Sequence, residues 1–144
     1  MNACHLAVDI GASSGRHIIG TLENGKITLK EIYRFENRLI EKNGHLCWDI
    51  DHLSSEVIEG IRQCGLQGYH PATMGIGTWA VDYVLLDAKG KRTGDAVAYR
   101  DERTDHIRRQ LEENNILSFA EHYAKTGIQY QKFNTVYQDR KSVV

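Results

Sequence analysis

The residues Asp9-Ile10-Gly11-Ala12-Ser13-Ser14-Gly15-Arg16 form the densest chemical signal in the chain. Glycine and other small residues let backbone N–H groups approach a phosphate without a Cβ in the way, and two serine hydroxyls add donors. Arg16 adds a fixed charge whose fork matches phosphate oxygens. Asp9, at the end of an apolar stretch, is placed to hold Mg²⁺ through water, because that ion keeps most of its hydration shell. The stretch is not a Walker loop: the Gly-x-x-x-x-Gly-Lys-Ser/Thr pattern is missing and an extended segment follows. The glycine spacing of a dinucleotide fingerprint fails as well. The plain alternative is a small-residue hairpin turn with an acid beside it. Gly15 is expected in an exposed loop, where a bulky side chain would block phosphate and leave folding intact.

Three further clusters carry polar chemistry. Gly75-Ile76-Gly77-Thr78-Trp79-Ala80-Val81-Asp82-Tyr83 ends an apolar run in small residues, an indole and a carboxylate. A carboxylate accepts from sugar hydroxyls and an aromatic face covers the C–H side, so this segment suits the wall of a polyol pocket. Its alternative is a core tryptophan and a surface acid. Tyr99-Arg100-Asp101-Glu102-Arg103 places an Arg-Asp pair after a strand, where α/β sheets build sites, although such a run equally starts a solvated helix with weak local ion pairs. Gln129-Tyr130-Gln131-Lys132-Phe133-Asn134-Thr135, rich in amides and aromatics, reads as a packing loop under such a pocket. None of the seven histidines forms a His-Glu-x-x-His pair, so no transition-metal site is expected.

The elements that must position these clusters follow from periodicity. Strands are expected over residues 5–10, 16–22 and 27–35, with Asn24-Gly25 turning the chain between the last two, because both central positions of that hairpin need φ > 0. Asn43-Gly44 repeats the signal before His45 to Trp48. Asp51 is the expected cap of a helix with Leu53, Val57, Ile58 and Ile61 on one face, closed near Gly65 and Gly68. Strands follow over 73–78, 83–86 and 96–99, with a turn at Ala88-Lys89-Gly90. Two helices come last, over 104–114 with Ile107 and Leu111 inward, and over 117–125 with Gly127 as left-handed terminator. The expectation is an α/β fold: a mixed five-stranded sheet with an antiparallel N-terminal meander, a crossover helix and flanking helices.

Composition narrows the function classes. Eighteen basic against nineteen acidic residues disfavour a nucleic-acid partner bound by counterion release. No apolar run approaches the roughly 20 residues that span a bilayer, so no membrane is expected. Met1-Asn2-Ala3-Cys4-His5 lacks the basic-then-apolar pattern of a signal peptide. Cys4, Cys47 and Cys64 form no Cys-x-x-Cys pair, which argues against a disulfide frame and for a reduced, cytoplasmic setting. With 144 residues and no repeat or Pro/Ser linker, one domain is expected over 1–144.

Five segments in order, residues 7–16, Cys47-Trp48-Asp49-Ile50-Asp51, residues 78–87, Ala98-Tyr99-Arg100-Asp101 and Phe133-Asn134-Thr135, resemble the amino-terminal part of the rhamnulokinases. That family belongs to the carbohydrate kinases with the actin-like, RNase H-like ATPase fold. The resemblance covers residues 5 to 138. It implies ATP-dependent phosphorylation of L-rhamnulose to L-rhamnulose 1-phosphate in L-rhamnose breakdown, with ATP and Mg²⁺ as cofactors. It further implies that Ala12, Ser13, Ser14, Gly15 and Arg16 contact the ATP phosphates, that Asp9 serves the metal, and that Trp79, Ala80, Asp82, Arg100 and Asp101 bind the ketose. The family usually reads Asp-Thr-Trp-Gly-Val-Asp where this chain has Gly77 and Ala80. After Gln138 the sequence, through Asp139 to Val144, leaves the family pattern, where an apolar residue and a continuing helix are expected. In the family a second actin-like domain carries the catalytic base. The chain is therefore expected to be a truncated N-terminal kinase domain, inactive by itself and prone to self-association through an exposed domain face. The alternative is a non-catalytic actin-like half-domain that binds phosphate, sugar or a protein partner. A cytoskeletal or chaperone ATPase sharing only the phosphate hairpin would have no need of the sugar wall.

Overall fold

The computed structural model describes residues 3–139; the departure from the family pattern over 140–144 lies outside them. The chain divides into two compact units. One runs through Leu39 and adds Asp49–Ala80; the other joins Ile40–Trp48 to the chain from Val81 onward.

The first unit is built on β1 (Cys4–Ile10), β2 (Ser14–Glu23) and β3 (Lys26–Glu36), then the helix α1 (Ile50–Leu66) and β6 (Thr73–Thr78). The sheet order is β3-β2-β1-β6. The first three strands are antiparallel and β6 lies parallel to β1 after the α1 crossover. Alternation along β1 sends Cys4, Leu6, Val8 and Ile10 into the core and leaves His5, Ala7 and Asp9 exposed. Such one-sided burial is the pattern of a sheet packed on one face only. Asn24 and Gly25 turn the β2–β3 hairpin at φ 50° and 75°, as their types require.

The helix starts at a different acid from the one expected. Asp49 is the N-cap, its carboxylate accepting from the His52 N–H at 3.0 Å, and Asp51 sits exposed in the first turn. The inward stripe also differs. Leu53, Gly60 and Cys64 are buried with Val57 half-buried beside them, whereas Ile58 and Ile61 are exposed. The reason is His17 of β2, which is wholly buried. Its ring occupies the space where a Cβ on residue 60 would stand, 2.2 Å away, so the helix meets the sheet along its glycine.

The second unit holds β4 (Leu39–Lys42) from its second residue on, β5 (His45–Trp48) and β7 (Ala96–Val97), hydrogen-bonded in the order β4-β5-β7. A 3₁₀ turn at Glu102–Thr104 leads to α2 (Ile107–Glu113), α3 (Phe119–Thr126) and α4 (Thr135–Gln138). Ile107, Leu111 and Tyr137 are its buried centre, packed by Leu117, Tyr130 and Val136. Gly127 closes α3 at φ 67°. One five-stranded sheet was the expectation; the described residues form a four-stranded and a three-stranded sheet instead, because the Asn43-Gly44 hairpin pairs with β7. Residues 83–86 form no strand. Leu86 makes a single bridge to Arg92, and the Asp87 carboxylate takes the N–H groups of Lys89 and Lys91, reversing the chain at once.

Candidate functional site

The hairpin between β1 and β2 positions the residues expected at phosphate. The register sets Asp9 opposite Arg16 and Ile10 opposite Gly15, and Gly11 N–H donates to the Ser14 carbonyl at 2.9 Å to close the turn. Ala12 and Ser13 stand between the strands, so their N–H groups lie outside the ladder and outside that closing bond. Arg16 and Asp9, both half-exposed, form an ion pair with Nε and Nη2 on Oδ2 at 2.9 and 2.8 Å. The acid expected at metal and the cation expected at phosphate thus hold one another.

Two findings were not legible in the hairpin sequence. Gly15 is buried, not exposed: a Cβ there would lie 2.0 Å from the Phe35 ring. Its role includes close packing of β2 on β3. Asn37, just past β3 and only 5% exposed, clasps the turn from behind. Its backbone N–H donates to the Ser13 carbonyl at 3.0 Å and its Nδ2 to the Gly11 carbonyl at 2.8 Å. Both bonds occupy carbonyls of the loop, those of Ser13 and Gly11. No local pattern around Asn37 announced this.

Of the segment expected at sugar, Trp79 packs half-buried against the core of the first unit, and Ala80 is exposed. Asp82 belongs to the second unit, where its Oδ2 accepts from the Nε1–H of Trp48 at 2.6 Å. Trp48 is itself buried, with Tyr99 against its ring and Phe133 edge-on to Tyr99. The amide- and aromatic-rich loop is therefore a packing loop, as expected, and it braces the tryptophan that holds Asp82. Asp82 lines an open cavity of about 260 Å³ together with Val81, Tyr83, Leu85, Thr135 and Asp139. Burial, with the Asp139 carboxylate adding to it, pushes the Tyr83 hydroxyl pKa up.

Arg100 and Asp101 do not share that cavity. They line another of about 370 Å³ with Glu41, Gly44, His45, Leu46 and Glu102. Arg100 lies over the Tyr99 ring and donates to its hydroxyl, at 3.1 Å. Asp101 is buried and takes the N–H groups of Leu46 and Arg103 and the His45 imidazole. Burial works against its charge, but these donors outweigh it and hold the carboxyl below the usual aspartate range. Asp101 thus joins β5 to the 3₁₀ turn. Among the described residues no group of three or more His, Cys, Asp or Glu side chains is arranged to hold a metal ion, and no helix is long and apolar enough to cross a membrane.

A small-residue hairpin with an acid–arginine pair, followed by a parallel crossover, is the frame on which comparison with known proteins bears. Residues 4–138 match the FGGY family of carbohydrate kinases, N-terminal domain. The chain belongs to the FGGY carbohydrate kinases. Its relatives include the rhamnulokinase of Oceanobacillus iheyensis, 52% identical over 138 residues, and that of Halalkalibacterium halodurans, 55% identical over 133. These alignments cover 96% and 92% of this chain but 29% and 28% of those proteins. The rhamnulokinase of Bacillus subtilis is 52% identical over 134 residues, 93% of this chain and 27% of that protein. The chain thus spans under a third of the length of the curated relatives it matches. Among solved structures, gluconate kinase from Lactobacillus acidophilus superposes with a TM-score of 0.77 at 17% identity, over 99% of this chain and 29% of that one. Plasmodium falciparum glycerol kinase with ADP gives 0.68 at 16%, over 99% and 30%. The FGGY fold is the actin-like ATPase fold, as the motifs implied.

Proposed function

We propose that the chain is the amino-terminal part of a kinase that transfers a phosphoryl group from ATP to the primary hydroxyl of L-rhamnulose, giving L-rhamnulose 1-phosphate. The observation that carries this reading is the identity of 52–55% to three rhamnulokinases across more than nine-tenths of the chain. The sugar hydroxyl oxygen attacks the γ-phosphorus, ADP leaves, and the hydroxyl proton goes to a base expected in a second domain.

The hairpin fits a nucleotide polyphosphate with its divalent metal. The amides of Ala12 and Ser13 and the hydroxyls of Ser13 and Ser14 supply donors, and Arg16 supplies charge. The Asp9–Arg16 pair is solvent-exposed and worth only about 0–1 kcal/mol, so it exchanges readily: Arg16 to phosphate oxygens, Asp9 to the water shell of Mg²⁺. When bound, the metal neutralises charge on the transferring group. On the sugar side, Asp82 accepts from ketose hydroxyls while Trp48 fixes its carboxylate. Trp79 and Ala80 are assigned to the ketose on the resemblance alone, Arg100 stands at a separate cavity, and Asp101 serves by tying β5 to the 3₁₀ turn. Positioning of both reactants is the share of catalysis these residues supply. The setting is the cytoplasm.

Residues 1–144 alone are expected not to phosphorylate L-rhamnulose, since Asp9 and Asp82 are both committed to holding roles. Self-association is the further expectation for this chain. Supporting it, β6 is exposed along its whole length, with Met74 and Ile76 about half exposed.

The decisive experiment replaces the matching segment of the Bacillus subtilis rhamnulokinase with residues 1–138 and measures ADP release. The chimera is expected to turn over with L-rhamnulose in preference to L-fuculose, D-xylulose, D-gluconate and glycerol. A folded chimera that binds ATP yet phosphorylates none of these, or prefers another of them, would overturn the reading and leave a non-catalytic binding module.

A further inference from the structure

Val81 is the one β-branched residue with positive φ among the described residues, at 73°. That conformation crowds a β-branched side chain against its own backbone and is rarely adopted without outside support. The support comes from α4. The Val81 carbonyl accepts from Gln138 Nε2 at 3.1 Å and from Thr135 Oγ1 at 3.3 Å. Gln138 is itself fully engaged: its second Nε2 hydrogen goes to the Phe133 carbonyl at 2.8 Å, and its Oε1 accepts from Arg103 Nη2 at 2.6 Å. With a guanidinium on one side and two carbonyls on the other, the amide has only one workable orientation. Arg103 in turn donates to the Ala98 carbonyl and pairs with Asp101 at 3.8 Å. The network therefore runs from the buried Asp101 through Arg103 and Gln138 to the backbone of residue 81. The next residue is Asp82, whose carboxylate meets the Trp48 indole.

We propose that Gln138 is a positioning residue for Asp82: its carboxamide, helped by Thr135, holds Val81 in the left-handed conformation that delivers Asp82 to Trp48 and to the cavity it lines. The assignment rests, for its use in sugar binding, on the reading of Asp82 given above. The geometric part stands independently of it. Releasing Val81 lets the residue relax to negative φ, which swings the Asp82 Cα–Cβ direction away from the indole.

Gln138→Glu tests this with little change of shape. The carboxylate keeps Arg103 but loses both donors and faces two carbonyl oxygens. In ¹⁵N-labelled chain, the Trp48 indole N–H resonance, assigned by comparison with Trp48→Phe, reports the bond to Asp82. It is expected to move toward the free-indole position in Gln138→Glu, while the Trp79 resonance and the backbone amides of β1 and β2 stay in place. Adding Val81→Gly, which adopts positive φ without strain, is expected to return it most of the way. Thr135→Val is expected to give a smaller shift in the same direction, and carries the test if Gln138→Glu fails to fold. An unmoved Trp48 resonance, or a displacement that Val81→Gly leaves unchanged, would overturn the clamp. In the chimera, Gln138→Glu is expected to raise KM for L-rhamnulose on the order of tenfold, with KM for ATP unchanged. If the resonance behaves as expected but the unmodified chimera ignores L-rhamnulose, the sugar reading falls and the clamp stands.

Discussion

The backbone N–H of Asn37 donates to the carbonyl of Ser13 at 3.0 Å, tying the expected phosphate turn to a side chain buried behind it. The Nδ2 bond to Gly11 makes the tie double. Asn37→Ala removes the side-chain half and strands the Gly11 carbonyl without its donor. The loss is expected to destabilise the chain by about 1–3 kcal/mol. It is also expected to weaken ATP binding by the chimera more than L-rhamnulose binding. Urea unfolding and nucleotide titration check the two effects separately; equal loss for both ligands would make Asn37 a general stabiliser only.

Gly15 and Phe35 form a packing pair. Gly15→Val drives a side chain into the Phe35 ring, and overpacking of this kind costs about 1–3 kcal/mol. Phe35→Leu in the same chain should recover part of it. Thermal melts of the two variants and their combination give the coupling. Independent, additive losses would show that the contact is not the cause.

His17 makes stability depend on pH. Burial lowers its pKa below 6.5, against weaker opposing pulls from the Val57 carbonyl and Glu56. Nε2 donates to the Val57 carbonyl at 3.1 Å, and Nδ1 has no partner among the described residues, so a second proton would add a buried donor with nothing to accept it. The unfolded chain takes up a proton near pH 6.5 that the folded chain refuses. Stability is therefore complete above that pH and falls as pH drops below it, by at most about 1.4 kcal/mol per unit. Denaturant curves at pH 8, 6.5 and 5 should show the decline, and His17→Gln should flatten it.

Gly60→Ala is expected to destabilise, even though alanine exceeds glycine in helix propensity by about 1 kcal/mol, because the new methyl meets the His17 ring. A melting temperature above that of the parent would contradict the packing of α1 described above.

Gly77 stands on exposed β6 with open space around its missing Cβ. Gly77→Asp should fold with stability within about 0.5 kcal/mol of the parent. The chimera carrying it then reads directly whether an acid there raises affinity for L-rhamnulose.

Local grammar made the hairpins and the crossover legible. Asn24-Gly25, Asn43-Gly44 and Gly127 each demand a backbone conformation that few other residues take, and each adopts it. The register that sets Asp9 opposite Arg16 was not read from the sequence, which assigned the two to metal and phosphate separately. Contacts between residues distant in sequence were what local grammar could not supply. Asn37 is 26 residues from Gly11, Trp48 is 34 from Asp82 and Gln138 is 57 from Val81. Ile58 and Ile61 looked inward because apolar type was counted, while the face of α1 is chosen by the fit of Gly60 to His17. Strand 83–86 failed for a similar reason: apolar character was present, but the pairing with residues 91–93 stops at the single bridge from Leu86 to Arg92.

All three cysteines are free and buried, Cys4 and Cys64 in the core of the first unit and Cys47 in the second. Burial further raises the pKa of the Cys47 and Cys64 thiols and so suppresses the nucleophilic thiolate. Thiol reagents therefore reach them only when the surrounding structure opens, and the chain carries a native set of unfolding clocks. Alkylation at Cys47 times the opening of one unit, and alkylation at Cys4 and Cys64 times the other. Peptide mass spectrometry after a brief pulse of iodoacetamide would reveal whether the two halves let go together or in turn.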